Sequence, residues 1–356
     1  MNAAWPTRLT SPDSFAKQPG RPPAASAVAV PMRNDLAGPY RKSSEMPVHI
    51  TPASANPVLD TLTQEFLDRF PGPPRSIEEL RERTFDPHAA HGAAARLVDV
   101  DIEFPPDHIR GRLILPEGAG SPSPVLVFFC TAKAGDDGTM NAEGLCRSLA
   151  VASQIAVLCL DTSRGALSAR VANALSALSG IRHNGRSLGL DGSRLAVAGD
   201  GIGAKVAAVV SMVAKDRPAP ALALQILFNP ILSDRLETAS YEAFAEGPWM
   251  TGELMSQIVK ELDEFADVAL PSPTEARIRE LEGMPPTLVM TAENDIARDE
   301  GEEFARKLMQ AGVRVNAVRF LGTIHDFAVL EPLADTPAAR GAVAHAAALL
   351  KETFNR

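Results

Sequence analysis

Residues 195–214 read LAVAGDGIGAKVAAVVSMVA. An apolar run, Leu195 to Ala198, enters a glycine-rich corner, and small and apolar residues from Gly203 to Ala214 leave it. A buried strand that turns straight into a helix constrains the fold. The helix must pack back on the sheet holding the strand, and repeated units of this kind give a mostly parallel sheet covered on both faces. Two kinds of site are built at such a corner. One is the dinucleotide loop G-x-G-x-x-A, matched by Gly199, Gly201 and Ala204. The other is the turn that presents a nucleophile, G-x-S-x-G, matched by Gly199 and Gly203 with Gly201 at its centre.

The rest of the chain repeats the alternation. Val98 to Phe104 and Ile109 to Leu115 read as a hairpin. Strands are predicted at 125–129, 155–160, 195–198, 221–228, 287–291 and 313–320. Helices are predicted at 142–152, 167–179, 203–214, 298–311 and 338–354, with a mostly helical, interrupted stretch over 240–265. Upstream, Leu59, Leu62, Phe66, Leu67 and Phe70 recur at helical spacing, and a second helix from Ser76 to Thr84 opens with Ser76 and Glu79 in capping-box positions. Residues 1–50 are rich in Pro, Ala and Ser without a period and read as a disordered leader, with Met32 and Met46 as further candidate starts. Residues 51–356 read as one α/β domain.

Composition narrows the function. The net charge is −9 and the pI about 5.4, so no nucleic-acid or anionic-membrane partner is expected. No apolar run is long enough for a membrane span. The three cysteines, Cys130, Cys146 and Cys159, have no metal-like spacing, which fits a reduced, cytoplasmic protein with no metal and no cofactor.

In open parallel sheets, sites gather at the carboxyl ends of the strands. The strand ending near Thr291 delivers Asp295, and the one ending near Phe320 delivers His325. A carboxylate that orients a histidine is the acid–base half of a nucleophilic triad. The chain order is corner, acid, base. The dinucleotide loop also asks for an acidic residue about 20 positions on, at the next strand's end. Here that strand ends at Phe228-Asn229-Pro230.

Four stretches carry a resemblance: DGSRLAVAGDGIGAKVAAVV, MPPTLVMTAENDIARDEGEEFARKLMQAGVRV, RFLGTIHDF and NPILSDRLETASYEAFAEGPWMTGELM. Together they resemble the elbow, acid, histidine and cap segments of the hormone-sensitive-lipase-like esterases, a branch of the α/β-hydrolase fold. The resemblance runs from about Pro57 to the C-terminus. It implies an α/β-hydrolase sheet with a helical cap built from about 57–92 and 232–270. It places Asp295 and His325 as acid and base, and Gly201 where the family carries its serine. Cys130, Thr131, Ala132 and Lys133 align with the family's His-Gly-Gly-Gly oxyanion loop, and Ile202 with the small residue after the nucleophile. Thr, Ala and Lys resist the φ > 0 that lets glycine turn its N–H toward an oxyanion. A homodimer is also common in such families.

With glycine in place of the nucleophile, three functions are open. The first is a non-hydrolytic acid–base enzyme of lyase, dehydratase, isomerase or cyclase type. It would act on a small hydrophobic carbonyl or ester ligand, with His325 as base oriented by Asp295. The second is a ligand-binding pseudo-hydrolase. The third is a weak ester hydrolase without an acyl-serine step. Asp326 reads as a solvated loop charge, or as a second acid beside the base. Lys205 opposes the dipole of its helix and reads as pairing with a carboxylate such as Asp200 or binding an anion.

Overall fold

The computed structural model describes residues 57–84, 95–104, 107–130, 142–162, 165–216, 221–233, 235–263 and 270–355. The leader over 1–50, the candidate starts Met32 and Met46, and the oxyanion-loop residues Thr131, Ala132 and Lys133 lie outside the described residues.

Eight strands form one sheet: β1 (Ala95–Phe104), β2 (Asp107–Pro116), β3 (Ser123–Cys130), β4 (Ala156–Asp161), β5 (Leu190–Asp200), β6 (Leu224–Phe228), β7 (Thr287–Asn294) and β8 (Val315–Ile324). Their order is β1-β2-β4-β3-β5-β6-β7-β8. β1 with β2 and β2 with β4 are antiparallel, and the remaining pairs are parallel. This is the mostly parallel sheet that the alternating pattern implies, in the α/β-hydrolase arrangement that the family resemblance implies.

Alternation along β3 shows how the two faces are made. Val125, Val127 and Phe129 enter one core with Val197 of β5. Leu126, Phe128 and Cys130 enter the other with Ala196 and Ala198. Because both faces are covered, the central strands read as continuous apolar runs. Helices α3 (Glu143–Ser153) and α10 (Pro337–Phe354) supply the second core, and α4 (Leu167–Asn184), α5 (Ile202–Ala214) and α9 (Arg298–Gln310) the first.

The shorter helices are α1 (Thr61–Leu67), α2 (Ile77–Thr84), α6 (Ala239–Ala243), α7 (Gly252–Asp263) and α8 (Ile278–Leu281). Asp60 caps α1, accepting the N–H groups of Leu62 and Thr63, and the helix ends before Phe70. Ser76 Oγ accepts the Glu79 N–H at 3.1 Å, as the capping pattern predicts. The helical stretch over 240–265 is two helices. The segment between α6 and α7 carries Trp249, one of the largest fully buried side chains. β8 runs four residues past the predicted end at Phe320, so His325 follows the strand directly.

The turn from β5 into α5 is tight. A Cβ on Gly199 would lie 2.2 Å from both the carbonyl carbon and the carbonyl oxygen of Gly203. Backbone cannot yield there as a flexible side chain could, so Gly199→Ala is expected to lower stability by about 3 kcal/mol or more, at the upper end of overpacking costs. Gly120→Ala, with nothing within 4 Å of its built Cβ, should stay within about 0.5 kcal/mol of wild type. Urea unfolding of both variants checks this, and equal midpoints would refute the close packing at the elbow.

Candidate functional site

Gly201 is the apex between β5 and α5, at φ 53° and ψ −115°. This conformation suits glycine, which has no Cβ to clash. The apex is fixed by backbone bonds: the Gly201 N–H donates to the Phe228 carbonyl at 3.1 Å, and its own carbonyl accepts the Ile231 N–H at 3.2 Å. Ile202 opens α5 and is buried.

Asp295 follows β7 and His325 follows β8. These strands are parallel neighbours, so their carboxyl ends bring the two side chains together. His325 Nδ1 lies 2.9 Å from Asp295 Oδ2. Asp295 accepts two further bonds, from Asn229 Nδ2 at 3.2 Å and from the Ala297 N–H at 2.9 Å. The carboxyl group is therefore held in place by three neighbours. The other ring nitrogen faces the elbow: a Cβ built on Gly201 would lie 3.5 Å from His325 Nε2.

Asp326 is not solvated. It is 9% exposed, and its φ of 63° turns the side chain inward. Its Oδ1 lies 3.5 Å from His325 Nε2, and its Oδ2 accepts Trp249 Nε1 at 3.1 Å. Trp249 in turn packs on Phe66 at 5.1 Å and on Phe70 at 6.1 Å between ring centroids. A third carboxyl, Asp200, joins from the end of β5. Ligand atoms of Asp200, His325 and Asp326 lie within 4.8 Å of one another, and Asp200 Oδ1 is buried without a hydrogen-bond partner.

This crowding sets the protonation. Burial alone lowers the pKa of His325, but Asp295, Asp326 and Asp200 outweigh it and push it up to about 10. The ring is an imidazolium at neutral pH and takes the place a cation would fill among the carboxylates. Asp200 is raised well above the ordinary carboxylate range, by burial and then by the charge of Asp326. Deeper in, Glu300 accepts the N–H groups of Leu232 and Ser233 at 3.1 and 2.8 Å. Burial pushes it up to about 8, against those bonds and the charge of Lys205. Lys205 is itself buried, and its charge acts on Glu300 from within the fold.

The structure thus joins His325, Asp295, Gly201 and Ile202, and sets Cys130 at the end of β3, buried and reduced. Sequence reasoning did not assign Asp200, Asn229, Trp249 or Glu300 to the site. Asp200 stands beside Gly201, so the elbow pattern was a usable signal for it. Nothing in sequence spacing links Trp249 to Asp326.

Residues 130–329 match a family model described as the alpha/beta hydrolase fold. The thermostable esterase from Pseudomonas putida ECU1011 is similar in structure, with a TM-score of 0.77 and 32% identity over 84% of this chain and 98% of that one. Carboxylesterase NlhH of Mycobacterium tuberculosis is 28% identical over 82% of this chain and 97% of its own length. A protein of Acanthamoeba polyphaga mimivirus named as an alpha/beta hydrolase is 38% identical over 160 residues, 44% of this chain; the match spans 46% of the viral protein, less than half. Sheet order, the strand-end histidine and acid, and these likenesses agree: the chain belongs to the hormone-sensitive-lipase-like family of alpha/beta hydrolases.

Proposed function

We propose that this chain uses the esterase scaffold without an acyl-serine step and transfers protons on a small hydrophobic carbonyl or ester compound. The reaction class is elimination, dehydration, isomerisation or cyclisation. One observation carries the reading: a Cβ on Gly201 would lie 3.5 Å from His325 Nε2. A nucleophile's side chain would face its base from there, and glycine brings none. The acid–base pair beside it is intact. The apex conformation costs a side-chain-bearing residue roughly 1–3 kcal/mol, so glycine is the stable choice once no nucleophile is needed.

The protonation state gives His325 its role. An imidazolium with a pKa near 10 donates at neutral pH. We therefore assign it as general acid in place of the free base that the sequence suggests. His325 hands its Nε2 proton to the substrate's carbonyl oxygen while the Asp326 carboxylate, whose Oδ1 lies 3.5 Å from Nε2, takes the proton that the neighbouring carbon gives up, and Asp295 keeps the ring oriented. Ile202 and the stretch Cys130, Thr131, Ala132 and Lys133 are assigned to the wall beside that oxygen. The helices over 57–92 and the segment 232–270 are assigned to a cap over the ligand, joined to the site by Trp249. The esterase names of the relatives support an ester or related carbonyl compound as ligand, and three reduced thiols support a cytoplasmic setting.

A second reading, a binder without chemistry, is favoured by the burial of His325, which is 2% exposed. The two separate in one experiment. Medium-chain ketones and esters are incubated in deuterated buffer and followed by NMR, with His325→Ala alongside. The proposed enzyme exchanges the proton next to the carbonyl, and the variant loses at least about 100-fold of that rate. Ligand-dependent rise in melting temperature without exchange would select the binder. Hydrolysis of p-nitrophenyl esters by wild type well above the variant would overturn both readings.

The same groups set a pH dependence of stability. Folding raises Glu300 from 4.5 to about 8 and His325 from 6.5 to about 10. Between pH 4.5 and 10 the folded chain therefore holds more protons than the unfolded one, and stability falls as pH rises through that window. Melting temperature should decline from about pH 5 toward pH 10. His325→Gln should flatten the limb above pH 8, where Glu300 no longer contributes. A limb above pH 8 as steep in His325→Gln as in wild type would mean that the ring is neutral.

A further inference from the structure

Outside the histidine cluster, the fold assembles a second group of reactive side chains. Cys130 closes β3, Cys146 lies in α3 and Cys159 lies in β4. Their spacing in sequence suggests no site. In the parallel register Phe128 stands opposite Cys159 and Cys130 opposite Asp161, so Cys130 and Cys159 share one face of adjacent strands. α3 packs on that face and brings Cys146 over them, and all three belong to one core. The three thiols are reduced and buried, with their sulfurs within 4.8 Å of one another.

We propose that this three-thiol pocket binds a soft monovalent cation of the Cu(I) class. The donor set is sulfur alone, which selects soft metals over magnesium, calcium or manganese. At a metal–sulfur bond of roughly 2.3 Å, three sulfurs around a trigonal ion stand roughly 4 Å apart. That spacing is close to the one the fold already gives them. A structural zinc ion takes four ligands; among the described residues this set offers three.

The three thiols give up their protons to solvent as the sulfurs bind the ion, because the thiolate is the ligand form. The adjoining Glu143 is already engaged by Arg112 at 2.5 Å and Arg147 at 2.9 Å, so it is not a spare anion. The site is independent of the reaction proposed at His325.

The test uses the reduced full-length protein under anaerobic conditions, with Cu(I) supplied as its bicinchoninate complex. One equivalent per chain should be taken from the chelator, and X-ray absorption should show a shell of three sulfurs. Cys130→Ala, Cys146→Ala and Cys159→Ala, each checked for folding by near-UV circular dichroism, should each weaken binding by more than about 100-fold, above what losing an outer-shell partner costs. If an alanine variant does not fold, the corresponding Cys130→Ser, Cys146→Ser or Cys159→Ser variant, closer in volume to cysteine, takes its place in the same competition. Folded wild type that leaves the chelator's copper untouched, a shell containing nitrogen or oxygen, or folded single variants that bind as wild type would each overturn the proposal.

Discussion

The bond between Asp295 and His325 organises the site because it resolves an otherwise unfavourable burial. An isolated imidazolium in the interior would lose its proton, and an isolated carboxylate would gain one. Facing each other at 2.9 Å, with Asn229 and the Ala297 N–H completing the shell of Asp295, each supplies the other's polar partner. Asp326 and Asp200 then crowd further carboxyl groups onto the same ring, and Asp200 is raised well above the ordinary carboxylate range by burial and then by the charge of Asp326. The local geometry follows from this crowding: a ring held at Nδ1 by Asp295 and faced at Nε2 by Asp326, with Asp200 beside the elbow.

That arrangement depends on distant segments. Asp326 is steadied by Trp249, and Trp249 is packed by Phe66 at the far end of the sequence. The chain entering α1 is tied to the same strand ends: the Asp60 N–H donates to the Gly322 carbonyl at 2.8 Å, and Asn294 Nδ2 donates to the Val58 carbonyl at 3.1 Å. Residues 57–70 therefore brace the end of β8 that presents His325. Loosening α1 would reach the imidazole through two contacts, Phe66 to Trp249 and Trp249 to Asp326.

The sheet was legible because buried parallel strands are written as unbroken apolar runs, and each predicted strand has its counterpart. The meeting of Asp295 with His325 was legible because parallel topology gathers side chains at strand ends. What stayed hidden was packing between elements. Asp326 looks like any polar loop residue, and its inward turn arises from a left-handed backbone and a tryptophan 77 positions away. The three cysteines are unremarkable in sequence, and only the β3–β4 register and the placement of α3 bring them together. The protonation of His325 was equally out of reach, since it depends on three carboxylates from three strand ends.

Two glycines of one corner separate architecture from chemistry. Gly199 is required by the crossing of α5 on β5, since a Cβ there would meet the backbone of Gly203 at 2.2 Å. A chain keeping this fold keeps that residue whatever it does. Gly201 is different: a Cβ there meets nothing closer than His325 Nε2 at 3.5 Å. Space permits a side chain, and only the backbone conformation resists one. A family that bears that conformational cost for a nucleophile can give it up without disturbing the sheet, the acid or the base. Sheet order and likeness to esterases therefore establish descent, while the reaction has to be argued from the few atoms facing Nε2.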